Sequence, residues 1–291
     1  MIHQLNMYGK DKVEVAIERF RAFEPPEGYY LAFSGGKDSC VIKALADMSG
    51  VKYDAHYNVT SVDPPELIYF IRGHHADVIF DYPRDKDGNR ITMWNLIAKK
   101  GMPPTRIVRY CCAELKESQG RGRFVVTGVR RAESAKRSTR NGIEFSNNKT
   151  GKMESFDVDN ADEVMVHACH QKRRKILNPI IDWTDSDVWE FIRENNIPYC
   201  QLYDEGYKRL GCIGCPMGTV EHRKKEFEKY PKYRDAYLRA FEKMVETNRL
   251  RGGRSAMNSG TITKNIFPSG HAQKMDFSNM KSIQIMEWWL Q

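Results

Sequence analysis

The chain has 291 residues, 41% of them hydrophobic and 29% charged, with 46 Lys and Arg against 38 Asp and Glu and a formal net charge of +8. That length allows one large α/β domain with an appended region, or two small domains, and the basic balance favours anionic partners such as a nucleotide or a nucleic acid. No apolar run reaches membrane-spanning length and Met1 to Asn6 does not open a secretory signal, so the expected setting is cytoplasmic and without a membrane partner; there, seven cysteines point to ligands or catalysts rather than disulfides.

Val13, Ala16, Ile17, Phe20 and Phe23 mark one face of a first helix, which Pro25-Pro26 ends. Tyr29 to Phe33 reads as a buried strand, followed by Ser34-Gly35-Gly36 and then by Cys40 to Ala46, apolar at helical spacing. Tyr53 to Val59 predicts a second strand and Thr60 to Glu66 a proline-stiffened loop. A helix begins at Leu67. Val78 to Tyr82 predicts a third strand, Thr92 to Lys100 a helix, Arg123 to Val129 a fourth strand and Ile176 to Ile181 a short fifth. Strands alternating with helices imply an open parallel sheet of about five strands with helices on both faces, an α/β fold whose ligands bind beyond the carboxyl ends of the strands.

The stretch 138–175 reads as an insertion or flap, with a small hairpin expected over Met153 to Val166. Glu221 to Arg251 predicts charged helices split at Pro231, and the tail predicts a last helix ending in Trp288-Trp289-Leu290. The expected division is a nucleotide-binding domain over 1–217 and a mainly helical region over 218–291.

Ser34-Gly35-Gly36-Lys37-Asp38-Ser39 is the stretch with the clearest chemistry. Adjacent glycines let the backbone bend and bring its N–H groups close to a ligand, and the positive end of the following helix favours phosphate. Ser34 and Ser39 offer hydroxyls and Lys37 a charge. Asp38 would repel bare phosphate, so it is expected to cap the helix or to help hold magnesium. The spacing is not that of a Walker loop.

The cysteines form a second constellation. Cys111-Cys112 is a vicinal pair, and Cys212 and Cys215 are separated by two residues. Two such pairs supply the thiolates of a [4Fe–4S] cluster or of a tetrahedral zinc, with unligated thiols as the remaining possibility. Cys40 is expected to pack in its helix. Cys169 lies in the insertion and Cys200 precedes a loop.

The glycine loop resembles the PP-loop of the ATP pyrophosphatases and of the phosphoadenosine-phosphosulfate (PAPS) reductase family. Gly128-Val129-Arg130-Arg131-Ala132-Glu133-Ser134-Ala135-Lys136-Arg137 resembles that family's Gly-x-Arg-x-x-Glu-Ser-x-x-Arg block. Asn178-Pro179-Ile180-Ile181-Asp182-Trp183-Thr184-Asp185-Ser186-Asp187-Val188-Trp189, in which Thr184 is expected to cap a helix, with the later Ile197-Pro198-Tyr199-Cys200 turn, is a third match. The resemblance covers roughly residues 28 to 217 and implies a HUP, or adenine nucleotide alpha-hydrolase-like, fold. It implies that Gly128 allows close approach, that Arg130 and Arg137 hold phosphate or sulfate oxygens, and that Glu133 orients one of them. It also implies an iron–sulfur cluster rather than zinc on Cys111, Cys112, Cys212 and Cys215, because the cluster-containing sulfonucleotide reductases carry this arrangement.

One departure bears on the reaction. Sulfonucleotide reductases attack sulfur with a cysteine in a C-terminal Glu-Cys-Gly block, whereas this sequence has no cysteine after Cys215. The pattern is similar to that of the iron–sulfur members of DNA phosphorothioation systems, which act as ATP pyrophosphatases. The expected activity is cleavage of ATP to AMP and pyrophosphate with Mg2+, activating a substrate for sulfur incorporation, with Lys37, Asp38 and Arg130 carrying the catalysis. DNA, a cysteine desulfurase or other sulfur donor, and a second copy in a homodimer are the expected partners. Two alternatives stand beside it. The first is reduction of PAPS or adenosine phosphosulfate with Cys200 as nucleophile. The second is a non-catalytic nucleotide- and DNA-binding subunit, in which Arg223, Lys224, Lys225, Lys229, Tyr230 and Lys232 face a phosphate backbone.

Overall fold

The computed structural model describes residues 11–117, 120, 122–135, 137–146, 153–156, 174–251 and 277–291. In chain order its elements are α1 (Lys12–Ala22), β1 (Tyr29–Ala32), α2 (Lys37–Ser49), β2 (Tyr53–Asn58), α3 (Pro65–His74), β3 (Ile79–Asp81), α4 (Met93–Lys100) and α5 (Tyr110–Leu115). There follow β4 (Phe124–Val126), β5 (Ile143–Ser146), β6 (Met153–Phe156), β7 (Arg174–Leu177), α6 (Asp185–Glu194), α7 (Val220–Lys229), α8 (Pro231–Leu250) and α9 (Ser282–Trp289). The chain divides into two compact units, one of residues 1–58, 65–81 and 120–210, the other of residues 59–64, 82–119 and 211–291.

The first unit is built on a seven-stranded sheet of order β3-β2-β1-β4-β7-β5-β6. The strands from β3 to β7 are parallel, in registers that set Tyr30 opposite both Asp54 and Val125, and Val126 opposite Leu177. The near-continuous apolar runs of β1 and β4 fit strands buried on both faces: Tyr29, Leu31 and Val126 are fully buried. α2 packs against α1 and α6. Arg19 of α1 donates to the Pro179 carbonyl and to Asp182, both at 2.8 Å, and so ties α1 to the segment that leaves β7. Lys12 pairs with Asp187 of α6.

Of the hairpin expected over Met153 to Val166, only Met153–Phe156 is described, as β6; it pairs antiparallel with β5, Ile143 opposite Phe156, and β5 pairs antiparallel with β7. This hairpin extends the sheet. Residues 157–173 of the expected insertion, with Cys169, lie outside the described residues.

From β1 the chain steps outward through β2 to β3, then returns to the other side of β1 with β4 and β7. The strand order therefore reverses between β1 and β4. At such a switch point the loops leaving the carboxyl ends of neighbouring strands diverge and open a crevice for a ligand.

The second unit is helical among its described residues. α4 packs along α8, and α9 packs on α8. Leu96, Ile97, Tyr237, Phe241, Met244 and Trp289 belong to one buried cluster. Pro231 begins α8 at a position where its missing N–H costs nothing, which is why the charged stretch splits there. No described helix is long and apolar enough to cross a membrane.

Candidate functional site

The glycine loop lies between β1 and α2, as the sequence predicts. Gly35 adopts φ +71, and a side chain there would meet Leu67 and Ile71 of α3, so the bend needs glycine both for its conformation and for space. Gly36 is the N-cap of α2 and makes no side-chain cap bond. Ser39 Oγ donates to the Gly36 carbonyl at 2.7 Å and stands 3.2 Å from Ser34 Oγ, so the two hydroxyls close the loop. The Lys37 N–H donates to the Tyr203 hydroxyl at 2.9 Å.

Four charged side chains meet above this loop. Asp38 does not cap the helix. Its Oδ1 accepts from Arg130 Nε at 2.6 Å, and its Oδ2 lies 3.1 Å from Lys37 Nζ. Asp185, the first residue of α6, places Oδ1 at 3.0 Å from both Lys37 Nζ and Arg130 Nη2. Both cations are deeply buried, with side chains only 7% and 4% exposed, whereas Asp185 is 65% exposed. Burial pushes the Asp185 carboxyl up, but the bonds and charges of Lys37 and Arg130 outweigh it and hold the group below the usual carboxylate range.

The Gly128–Arg137 block supports this arrangement. Gly128 packs against the Asp38 backbone. Glu133 accepts the Arg130 backbone N–H at 2.9 Å through Oε1 and pairs with Arg137 through Oε2. Glu133 thus orients Arg130 through its main chain and Arg137 through its side chain. The structure brings Ser34, Gly35, Gly36, Lys37, Asp38, Ser39, Gly128 and Arg130 to one crevice. Glu133 and Arg137 stand behind it. Sequence reading missed Asp185 and Tyr203. The signals for them were the Thr184 cap, which fixes the start of α6, and the turn at Pro198-Tyr199, which leads into the 3-10 turn carrying Tyr203.

The four cysteines expected as ligands, Cys111, Cys112, Cys212 and Cys215, belong to the second unit. Cys111 and Cys112 lie on α5, and Cys212 and Cys215 flank a turn in which the Cys215 N–H donates to the Cys212 carbonyl at 3.1 Å. That turn is tied at several points. Ile213 bonds Val62 through its N–H and Tyr237 through its carbonyl, and Glu226 accepts the Gly214 N–H at 2.9 Å. A hydrogen bond with Cys112 and burial push the Cys111 thiol up, and charge on Cys112, Cys212 and Cys215 adds to the rise.

The expected coordination cage is not closed, however. Among the described residues no three Cys, His, Asp or Glu side chains are grouped so as to hold a metal ion. Three of the thiols, all free, turn to protein partners instead: Cys111 shares a hydrogen bond with Cys112, Arg109 donates to Cys112 at 3.3 Å, and Cys212 lies 3.6 Å from Thr60 Oγ1. The donor set still suits a thiolate-ligated group. The Cys111 bond and, against the cost of burial, the Arg109 guanidinium and Lys116 ammonium bring the Cys112 thiol down to about 5. Cys212 raises Lys116 in return.

Cys40 and Cys200 are buried. In the basic stretch, Lys224, Lys225, Lys229 and Lys232 are exposed, but Tyr230 is buried and Arg223 is turned inward to donate to the Trp289 carbonyl at 2.7 Å. These two residues do not belong to any outward face.

Residues 28–218 match the phosphoadenosine phosphosulfate reductase domain, and the chain belongs to that family. Relatives include the uncharacterized protein MJ0973 of Methanocaldococcus jannaschii, 28% identical over 213 residues that make up 69% of this chain and 44% of that protein. The adenosine 5'-phosphosulfate reductase of Lysinibacillus sphaericus is 31% identical over 118 residues, 38% of this chain and 41% of that enzyme. The chain thus spans less than half the length of these relatives. Among solved structures, the phosphoadenylyl-sulfate reductase of Candida auris aligns with a TM-score of 0.44 and 18% identity over 69% of this chain and 87% of that one.

Proposed function

We propose that the chain is an ATP pyrophosphatase of the PAPS reductase family, which cleaves ATP to AMP and pyrophosphate and so activates a substrate for sulfur incorporation. The observation that carries this reading is the pair of buried cations, Lys37 and Arg130, held at the switch point of a parallel sheet by Asp38. Buried and oriented charges of this kind stabilise charge that develops on a phosphoryl group without having to reorganise. Lys37 and Arg130 would bind the phosphates, and the glycine bend would let them approach the backbone. Ser34 and Ser39 would orient their oxygens. Asp38 is the carboxylate that would meet a magnesium ion carried on the nucleotide, and that ion would offset further phosphate charge.

Cys111, Cys112, Cys212 and Cys215 would hold an iron–sulfur cluster, with zinc as the alternative; a cluster when bound would brace the site or carry a sulfur atom. The vicinal pair, the cationic Arg109 and Lys116 and the tied turn support a group with thiolate ligands. DNA as acceptor in phosphorothioation, and a cysteine desulfurase as donor, complete the reading. Lys224, Lys225, Lys229 and Lys232 are the exposed cations on hand for a phosphate backbone.

The names of several relatives favour a second reading, reduction of a sulfonucleotide. Cys200, its expected nucleophile, is fully buried, which counts against it. The deciding experiment is incubation of the purified protein with ATP and Mg2+. Pyrophosphate and AMP as products support the first reading; ADP and phosphate, or no turnover together with sulfite release from adenosine phosphosulfate, overturn it.

A further inference from the structure

Asp185 is the least buried member of the charged group above the phosphate loop. Its Oδ1 lies 3.0 Å from Lys37 Nζ and 3.0 Å from Arg130 Nη2, a position between two cations that an anionic oxygen would occupy. It reaches that position from solvent, with 65% of its side chain exposed, while the cations beneath it are almost wholly covered. A second contact repeats the pattern. The first N–H of α2, which helix geometry aims at a bound anion, donates instead to the Tyr203 hydroxyl. Both surrogates belong to one local structure. Trp189, one turn after Asp185 on α6, packs edge-on against Tyr203 with ring centroids 5.1 Å apart.

We propose that Asp185 is an internal counter-anion which holds Lys37 and Arg130 in position and yields them to the incoming polyphosphate, with Tyr203 released alongside it. The inference rests on the phosphate-binding reading of the loop and adds an entry step to it. A carboxylate that must leave sets a threshold. A pyrophosphate, or the triphosphate of a nucleotide, brings more charge and more oxygens to the two cations than a single phosphate does. The cost of displacing Asp185 falls on every anion alike, so it weakens all of them and keeps weak binders out at concentrations where a polyphosphate still binds. Against the cost of burial, Lys37 and Arg130 hold the Asp185 carboxyl below its usual range, so the surrogate is charged at neutral pH. The exposure of the residue, and its place at the start of a helix already capped by Thr184, mean that its removal leaves the fold intact.

The test is binding of inorganic pyrophosphate and of inorganic phosphate to the full chain by calorimetry, with EDTA and with Mg2+, for the unchanged protein, Asp185→Asn and Asp185→Ser. Loss of two ion pairs whose shared carboxylate is largely exposed is worth roughly a tenfold change in affinity. Both variants are expected to bind pyrophosphate and phosphate each about tenfold more tightly in EDTA. Trp189 fluorescence, read as the difference from Trp189→Phe, is expected to change when pyrophosphate binds. Unchanged or weaker pyrophosphate binding by both variants overturns the inference while leaving the phosphate loop standing. Weakening confined to Mg2+ overturns it too, since it would make Asp185 a metal ligand. Failure of the unchanged protein and both variants to bind either anion overturns the phosphate-binding reading itself.

Discussion

Gly128 lies directly against Asp38: a Cβ on Gly128 would stand 3.1 Å from the Asp38 carbonyl carbon and oxygen. The two residues leave neighbouring strands at the point where the strand order reverses, so this contact sets how closely the two halves of the phosphate crevice approach. Replacing Gly128 with alanine forces backbone apart from backbone, which no side-chain rotation can relieve. At 3.1 Å the neighbour must give by only a few tenths of an ångström, whereas misplacement by about 1 Å costs roughly a hundredfold in catalysis. The expected result for Gly128→Ala is a fall of roughly threefold to fivefold in kcat/KM for ATP, with little change in thermal midpoint. Turnover equal to that of the unchanged protein would show that the spacing is not used.

Arg130 is a fork, and its charge alone does not replace it. Nε serves Asp38 and Nη2 serves Asp185. Lysine keeps the charge but reaches both carboxylates poorly. Arg130→Lys is expected to lower pyrophosphate release from ATP by about one to two orders of magnitude, in line with loss of one oriented donor. Arg131→Lys is the control. Arg131 bonds the Arg140 carbonyl and Asn141, away from the crevice, and its replacement should leave the rate unchanged.

Gly35 carries a stability prediction. Alanine there combines a left-handed backbone with Cβ contacts of 2.6 Å to Leu67 Cδ1 and 2.8 Å to Ile71 Cδ1. The backbone costs about 1 kcal/mol and the overpacking about 1–3 kcal/mol. Urea unfolding of Gly35→Ala should show a midpoint lowered to match; a midpoint within error of the original would mean that the loop relaxes freely.

His75 predicts a pH dependence. Burial, with help from the Lys43 charge, lowers it from 6.5 to about 4. Between those values the unfolded chain binds a proton that the folded chain refuses, so the folded state loses stability as pH falls through that window. Stability from this residue is complete above about 6.5 and gone below about 4. In His75→Gln, thermal midpoints measured from pH 7 to pH 4 should fall less steeply than in the unchanged protein. Parallel slopes would remove His75 from the account.

The cysteine neighbourhood is tested by counting metal. Protein prepared without oxygen is expected to be brown and to contain iron and acid-labile sulfide, both lost in Cys212→Ser and in Cys112→Ser. Zinc without sulfide would replace the cluster by the tetrahedral alternative. Neither metal, in a protein that is otherwise folded, would leave the thiols as side chains held by Arg109, Lys116 and Thr60.

The parallel part of the fold was legible because each strand was a short apolar run ended by glycine or proline, and each helix kept its spacing. Pro231, Thr184 and Gly36 marked boundaries that the structure keeps. β5 was missed because Ile143-Glu144-Phe145 is only three alternating residues between turn signals, and its pairing with β7 is set by the sheet rather than by local preference. Lys37, Arg130 and the glycines were legible because phosphate chemistry demands those residue types. Asp185 and Tyr203 were not, since a carboxylate and a phenol beside a phosphate loop acquire meaning only once folding shows what they touch.

The crevice is assembled from distant stretches of sequence: Asp38 and Arg130 are 92 positions apart, and Arg130 and Asp185 a further 55. On the ribosome, then, the glycine bend emerges long before its second cation and its guarding carboxylate. A stalled nascent chain that has not yet exposed residue 130 would carry an incomplete cup, with its first cation in place and its second still to come.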